Sequence, residues 1–234
     1  MKNDRLRISE QFYSLQGEGI TMGVPSVFVR LQACNIVCDG EWVCDTIEVW
    51  KTGDTTPVMN WVVDLKKWIP QLKKGAHLIF TGGEPLLQQK AIVFAINYFK
   101  RVWGFKPFVE IETNGTLMPD DDFIETVDLI NCSFKLKNSG VREDRRIKID
   151  VLKKINTTNS IFKIVVGSKE DYKEARKIFD EVGIENKNIW LMPPGDNQKE
   201  IDKKSQITSQ ICIDEGVNFS SRLQVVLWNK TTGV

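Results

Sequence analysis

The 234-residue sequence contains a single histidine, His77, and no apolar run near the roughly 20 residues that cross a bilayer. Its 32 basic and 31 acidic residues nearly cancel, so the overall charge gives no reason to expect a polyanionic partner. The first ten residues, MKNDRLRISE, lack the apolar core of a secretion signal. We therefore expect a cytoplasmic protein that has no membrane contact and does not bind nucleic acid directly.

Cysteine is also scarce, and its number, five, is odd and unsuited to a secreted disulfide scaffold. Cys34, Cys38 and Cys44 lie within eleven positions of one another, whereas Cys132 and Cys212 stand alone in apolar surroundings. We interpret the two isolated cysteines as core residues. In a reducing compartment, the three clustered cysteines are more typical of metal ligands or redox groups.

Short runs of β-branched and aromatic residues alternate along the chain with longer stretches of helical spacing. The short runs predict strands at 26–31, 77–81, 108–113, 129–134, 161–166, 188–192 and, near the C-terminus, 222–228. The longer stretches predict helices at 58–72, 85–102, 120–127, 169–183 and 198–214. This alternation indicates one α/β domain, residues 1–234, whose parallel sheet is open or curved into a barrel.

Polar and glycine-containing segments follow the predicted strands. QACN and the cysteine loop follow the first strand, GGEP the second, NGT the third and KLKNSG the fourth. Loops after the carboxyl ends of parallel strands meet at one edge, where the active sites of such folds lie. Glu110 and Glu112 also alternate on one face of the third strand, and two carboxylates on a buried strand need partners or a site.

The three clustered cysteines fit an iron–sulfur cluster better than a structural zinc site. A closed zinc site needs four ligands, yet His77 begins an apolar strand and the remaining cysteines lie in separate predicted elements. A [4Fe–4S] cluster usually takes four cysteines. Three would leave one iron open to a small molecule, such as the amino and carboxylate groups of S-adenosylmethionine.

The cysteine loop followed by TGGEP (81–85) resembles the radical S-adenosylmethionine superfamily, although its spacing is C-x3-C-x5-C instead of the usual C-x3-C-x2-C. Further motifs resemble the 7-carboxy-7-deazaguanine synthase family and occur in that family's order along the chain. They are FYSLQGEGITMGVPSVFVRLQACN (12–35), CDT (44–46), ETNGT (112–116), KLKNSG (135–140), LMPPG (191–195) and RLQVVLWNKTTGV (222–234).

This resemblance implies a partial (β/α)6-type TIM barrel of parallel strands with an extra C-terminal strand. It implies contraction of 6-carboxy-5,6,7,8-tetrahydropterin to 7-carboxy-7-deazaguanine with loss of ammonia, as in queuosine-type biosynthesis. The implied cofactors are a [4Fe–4S] cluster, S-adenosylmethionine and Mg²⁺. The implied partners are a reductant protein such as flavodoxin or ferredoxin and a second copy of the chain in a homodimer.

The resemblance also implies a role for individual residues. The cluster ligands would be Cys34, Cys38 and Cys44, and the hydroxyl of Thr46 would contribute to the Mg²⁺ site. The residues holding S-adenosylmethionine would be Gly82, Gly83, Glu84, Glu112, Thr113, Asn114, Ser133 and Lys135. The residues contacting the pterin would be Gln16, Glu18, Arg30 and Gln224. Because Gln224 stands where the family usually has histidine, we hypothesise that substrate binding is retained with an altered pH dependence.

Several of these positions also have simpler structural interpretations. GGEP can be a strand-to-helix turn, Thr46 a helix cap, QGEG a polar turn and Arg30 a solvent-facing strand end. The lengthened segment DGEWV (39–43) can reshape a lid over the cluster or offer a partner surface through Trp42. Two other functions also remain open: an activase that installs a glycyl radical on a partner protein, and a non-catalytic metal-binding module.

Overall fold

A computed structural model describes residues 4–44, 47–229 and 231. Its strands are β1 Arg5–Leu15, β2 Pro25–Leu31, β3 Asp54–Pro57, β4 His77–Gly82, β5 Val109–Thr113, β6 Leu129–Cys132, β7 Ser160–Val165, β8 Ile189–Met192 and β9 Asn218–Phe219. Its α-helices are α1 Val58–Asp64, α2 Ile69–Lys73, α3 Gln89–Trp103, α4 Asp121–Thr126, α5 Glu143–Arg146, α6 Ile149–Asn156, α7 Lys169–Val182, α8 Gln198–Glu215 and α9 Leu223–Trp228.

These strands form one sheet in the order β3-β1-β2-β4-β5-β6-β7-β8-β9. From β2 to β9 each neighbouring pair is parallel, and β2 with β4 to β8 are six of the seven strands that the sequence predicts. Within the described residues β3 and β9 are the two ends of this order, so the sheet is not closed. The predicted α/β class and partial barrel are therefore confirmed.

Two antiparallel strands at one edge were not predicted. Strand β1 pairs antiparallel with β2 through Ile8 to Leu15 and with β3 through Arg5 to Ile8. Leu6 and Ile8 are buried while Arg5 and Arg7 are exposed, as in a strand with one face on a core. The many polar residues of this segment conceal that alternation. The helix predicted at 58–72 is also interrupted, because a 3₁₀ turn, Leu65–Trp68, separates α1 from α2.

The prediction of a strand at 222–228 is wrong, because this segment contains α9. Periodicity alone cannot separate strand from helix in so short an apolar run. The Leu223 N–H donates to the carbonyl of Gly17 at 2.8 Å, which places the helix start against the loop after β1. The extra C-terminal strand is instead the short β9, which pairs with β8.

Alternation along the parallel strands separates an apolar face from a polar one. One face packs against the helices in two apolar clusters, and Cys132 and Cys212 are buried there as predicted. The opposite, concave face carries polar side chains, including Glu110, Asn131 and Lys163, which are 0 to 3% exposed. Since buried polar groups require partners, this face indicates where the site lies. No helix in the described part of the chain is long and apolar enough to span a membrane.

Candidate active site

A cavity of about 740 Å³ opens at the carboxyl ends of the parallel strands. It is lined by fourteen of the residues that the sequence analysis proposes: Gln16, Glu18, Arg30, Cys34, Cys38, Cys44, Gly82, Gly83, Glu112, Thr113, Asn114, Ser133, Lys135 and Gln224. Glu84 is not among the lining residues. Thr46 lies outside the described residues, so the implied Mg²⁺ position remains a prediction.

The start of the cysteine loop packs directly against the glycines after β4. The Gly83 N–H donates to Leu31 O at 3.0 Å, and the Glu84 N–H donates to Ala33 O at 2.8 Å. A Cβ on Gly83 would lie 1.8 Å from that Ala33 oxygen, so no larger residue fits without moving the loop. Ala33 itself has a positive φ of 69°. The two segments therefore form one unit that fixes where Cys34 begins.

The lengthened loop forms a closed hairpin. The Cys44 N–H donates to Cys38 O at 3.1 Å, and Asp39 and Val43 form an antiparallel bridge. The three additional residues between the second and third cysteines are therefore taken up within the hairpin. Its base keeps the backbones of Cys38 and Cys44 adjacent in spite of the unusual spacing.

The tip of this hairpin docks on the segment after β6. The Glu41 N–H donates to Asn138 O at 2.8 Å, and the Trp42 indole donates to Asn138 Oδ1 at 3.1 Å. A Cβ on Gly40 would lie 2.4 Å from the backbone nitrogen of Gly140. The Lys135 ammonium lies 5.7 Å from the centre of the Trp42 ring. The hairpin therefore forms a wall of the cavity beside Lys135.

The three cysteines of this loop form no disulfide within the described residues. Burial raises the pKa of Cys34 and raises that of Cys38 to about 11, while the nearby Lys135 ammonium lowers both. Cys44 raises the pKa of both as well, so the three sulfurs lie within electrostatic range of one another. Within the described residues no three His, Cys, Asp or Glu side chains lie close enough together to hold a single metal ion. The three cysteines line one cavity, and as soft sulfur donors they suit an iron–sulfur cluster, whose binding would displace the thiol protons.

Asn114 joins the cysteine loop to the end of β5. Its amide donates to Asn35 Oδ1 at 3.0 Å and approaches Cys34 Sγ at 3.7 Å, while its own oxygen accepts from the Thr116 hydroxyl at 2.6 Å. Asn35 in turn donates to the Thr116 hydroxyl at 2.7 Å. These amide and hydroxyl groups hold Cys34 against the sheet and supply a donor to its sulfur.

Both carboxylate oxygens of Glu84 accept hydrogen bonds from the protein, and the side chain does not line the cavity. Oε1 accepts from Leu86 N at 2.9 Å and from the Thr113 hydroxyl at 2.8 Å, and Oε2 accepts from Asn114 N at 2.7 Å. Burial raises the pKa of this fully buried carboxyl, although these donors oppose the rise. Glu84 thus joins the turn after β4 to the end of β5. Contact with the cofactor's ammonium stays a prediction.

The implied pterin side of the cavity is built around Glu18. Its Oε2 lies 2.6 Å from Lys163 Nζ, and its Oε1 accepts from Gln224 Nε2 at 2.7 Å and from Arg222 Nε at 3.2 Å. Burial opposes ionisation, yet the two cations and their hydrogen bonds outweigh it and lower the pKa of Glu18 to about 2. Within the described residues Gln224 Oε1 is buried and has no hydrogen-bond partner.

A second layer of polar groups lies beneath this site. Gln16 Nε2 donates to Glu110 Oε1 at 2.8 Å and to Glu112 Oε1 at 3.2 Å. Asn131 also donates to Glu110, and His77 Nδ1 lies 3.3 Å from its other oxygen. The pair of carboxylates predicted to share one face therefore has partners, and the Gln16 amide nitrogen is already engaged by both.

Arg30 is 13% exposed and lines the cavity, so the interpretation of a solvent-facing strand end is wrong. Its Nε lies 2.7 Å from Glu10 Oε1, and its guanidinium carbon lies 5.9 Å from the centre of the Phe12 ring. These two contacts orient a cation at the mouth of the cavity.

Sequence reasoning missed Lys163, Asn131 and Arg222 as site residues. Lys163 and Asn131 occur within the apolar runs IFKIVV and LINCS. A polar residue inside a predicted buried strand needs partners, and on that ground both could have been identified as candidate site residues. Arg222 was missed because the sequence analysis assigns residues 222–228 to a strand, whereas Arg222 precedes helix α9. Lys163 and Arg222 contact Glu18 in the loop after β1, and Asn131 contacts Glu110 on the concave face.

Comparison with known proteins identifies the family. The family described as "4Fe-4S single cluster domain" matches residues 15–155. The 7-carboxy-7-deazaguanine synthase of Halobacterium salinarum is 31% identical over 247 residues, covering 96% of this chain and 91% of the relative. That of Pyrobaculum aerophilum is 30% identical over 229 residues, covering 98% and 97%. The crystal structure of QueE from Escherichia coli has the same fold, with a TM-score of 0.68, 21% identity and 94% of each chain covered.

These matches span nearly the whole chain and agree with the cavity that gathers the three cysteines, the glycine turn and the polar floor. The chain therefore belongs to the 7-carboxy-7-deazaguanine synthase family of radical S-adenosylmethionine enzymes, whose cofactors are a [4Fe–4S] cluster and S-adenosylmethionine.

Proposed function

We propose that the enzyme converts 6-carboxy-5,6,7,8-tetrahydropterin to 7-carboxy-7-deazaguanine with loss of ammonia, and that the pterin binds between Glu18, Gln224 and Arg30. The observation that carries this assignment is that Glu18, Gln224 and Arg30 line the same cavity as the three loop cysteines. In addition, Gln224 Oε1 is buried beside Gly17 with no hydrogen-bond partner among the described residues. A buried acceptor without a partner costs free energy unless a ligand satisfies it.

The geometry beside this oxygen suits an aminopyrimidinone edge. Glu18 has three hydrogen-bonded donors, Lys163, Arg222 and Gln224, and a carboxylate offers about four acceptor positions. The remaining position on Glu18 and the Gln224 oxygen would lie side by side if ligand binding turned the Gln224 amide from Gly17 towards the cavity, since the two side chains are hydrogen-bonded to each other. Two adjacent acceptors match the two neighbouring N–H groups of the pterin ring. Arg30 would pair with the substrate's carboxylate through the guanidinium nitrogens that Glu10 does not engage.

The opposite wall of the cavity suits the cofactors. Cys34, Cys38 and Cys44 would hold the cluster, and the turn at Gly82 and Gly83 would receive the methionine end of S-adenosylmethionine. When bound, the cluster and S-adenosylmethionine supply a radical that abstracts hydrogen from the substrate. Glu112, Thr113, Asn114, Ser133 and Lys135 would face the adenosyl part, while Glu84 would hold this wall in place from beneath.

Further assignments belong to the same proposal. Thr46 would supply a neutral oxygen ligand to Mg²⁺, a hard cation that prefers oxygen donors. A reductant protein such as flavodoxin or ferredoxin would deliver the electron, and the chain would act in the cytoplasm as a homodimer. Mg²⁺-dependent turnover that is weakened in Thr46→Val but not in Thr55→Val, at an exposed position on β3, would support the metal assignment.

Anaerobic turnover tests the reaction itself. Enzyme reconstituted with iron and sulfide is incubated with S-adenosylmethionine, Mg²⁺, a reductant and the pterin, and products are followed by mass. A ring-contracted deazapurine is the expected result. Deoxyadenosine without any deazapurine would instead favour an activase. A protein that binds zinc and develops no iron–sulfur absorption would contradict the proposal and fit a metal-binding module.

A further inference from the structure

Lys163 is a cation buried inside an otherwise apolar strand. It lies in the middle of β7 with a side chain 4% exposed, and its neighbours Phe162 and Ile164 point to the opposite, apolar face. Removing an ammonium group from water is costly unless carboxylates surround it. A lysine at this position therefore indicates that the concave face requires a positive charge there.

Two carboxylates from different parts of the site share this ammonium. Nζ lies 2.6 Å from Glu18 Oε2 and 3.3 Å from Glu112 Oε1. Glu18 belongs to the loop after β1 on the proposed pterin side, whereas Glu112 lies one residue before the end of β5 on the proposed cofactor side. Burial alone would lower the pKa of Lys163, but Glu112, Glu18 and Glu110 together raise it above its ordinary value.

Among the described residues Lys163 and Arg222 are the two cations that contact Glu18, and Lys163 is the closer. Arg222, from the segment before α9, lies 3.2 Å from Oε1 and also donates to Gly195 O, while Lys163 approaches Oε2 more closely. From β5 come the like charges of Glu110 and Glu112. In the described part of the chain the neutral amide of Gln224 also contacts Glu18, while the amide of Gln16 and the ring of His77 contact Glu110.

We propose that Lys163 is a positioning residue for the pterin: it holds Glu18 as an oriented anion whose free acceptor position faces the substrate. The inference rests on the proposed function, because it assigns Glu18 to the pterin. A purely structural ion pair would stabilise the fold without altering how substrate affinity varies with pH. A positioning role changes substrate affinity itself, and changes it through Glu18.

The experiment compares wild type, Lys163→Met, Lys163→Arg, Glu18→Gln and the double variant Glu18→Gln/Lys163→Met as reconstituted enzymes. The KM for pterin and the KM for S-adenosylmethionine are measured from about pH 8 to about pH 6. In Lys163→Met the pterin KM should rise about tenfold or more, as for loss of one member of a buried charge pair. The rise should be greater at lower pH, because Glu18 then protonates more readily, and the KM for S-adenosylmethionine should change less.

Lys163→Arg keeps the charge and should restore a flat pH profile. The double variant should match Glu18→Gln in pterin KM, because Lys163 would have no anion left to position. This comparison remains decisive even if Lys163→Met fails to fold, since the double variant contains no unpaired Glu18. An equal, pH-independent loss for both substrates, or a further tenfold loss in the double variant, would overturn the inference. Wild type that makes no deazapurine would overturn the proposed function, and the inference with it.

Discussion

Gln224 donates its amide N–H to Glu18 Oε1 at 2.7 Å, and its amide oxygen is buried beside Gly17 with no hydrogen-bond partner among the described residues. Histidine at this position would offer only donors once protonated. We therefore expect the pterin KM of Gln224→His to rise as the pH falls, by about tenfold over roughly two pH units around neutrality.

Steady-state kinetics on wild type and Gln224→His would measure this effect, with Gln224→Asn as a control that cannot titrate. Wild type and the asparagine variant should give flat profiles between about pH 6 and about pH 8. Identical profiles and affinities in all three proteins would argue against a role for this side chain in substrate binding.

The ion pairs of Glu18 should contribute to stability over a defined pH range. The folded-state pKa of about 2 lies below the ordinary value of 4.5, so the contribution is present above pH 4.5 and is lost as the pH falls towards 2. Lys163 and Arg222 remain charged throughout that range. Glu18→Gln should therefore lower the free energy of unfolding by on the order of 3 kcal/mol near pH 7, and by much less near pH 3.

Urea unfolding at several pH values would test this prediction. Glu185→Gln is the matched control, because Glu185 pairs with Lys187 at 2.7 Å on an exposed surface, where such pairs contribute little. A Glu18→Gln loss that does not vary with pH would show that the contribution comes from packing and not from ionisation.

Cluster assembly should depend on the loop cysteines and not on the buried ones. Alanine at Cys34, Cys38 or Cys44 should reduce iron–sulfur absorption and abolish pterin conversion, since each removes a ligand. Cys212→Ala is the control: its thiol is buried against the helices and should affect stability, not iron content. Full iron content and turnover in Cys44→Ala would contradict the assigned ligand set.

The docking of the hairpin can be tested at Gly40. Alanine there would place a Cβ 2.4 Å from Gly140 N and 2.5 Å from Asn138 O, so the hairpin must move away from its support. We expect reduced iron incorporation and faster bleaching of the cluster in air. Gly183→Ala provides the control: its Cβ meets no atom within 4 Å, and its positive φ should cost about 1 kcal/mol of stability alone. Normal cluster retention in Gly40→Ala would show that docking is dispensable.

The sequence predicted the parallel strands and the edge where the site lies, because buried parallel strands are nearly continuous apolar runs and their loops are polar. It did not reveal β1 and β3, since an edge segment such as RLRISEQFYSL is half polar. It also missed Lys163 and Asn131. Their role depends on which face of the strand they occupy and which carboxylates lie opposite, and both depend on the folded register.

The contacts of Glu84 were equally hidden from the sequence. GGEP was interpreted either as a cofactor turn or as a strand-to-helix turn, and Glu84 does act as a cap by accepting from Leu86 N. Its bonds to Thr113 and Asn114 join segments about 30 positions apart, which no local pattern can predict.

The Cys38–Cys44 backbone bond at the base of the hairpin has a practical consequence for protein engineering. Because this bond joins the two residues directly, the distance between their backbones need not follow the length of the intervening peptide. Peptide tags or spectroscopic labels introduced between these cysteines must therefore preserve the contacts of Gly40 and Glu41 with Asn138 and Gly140, because the docked tip forms a wall of the cavity.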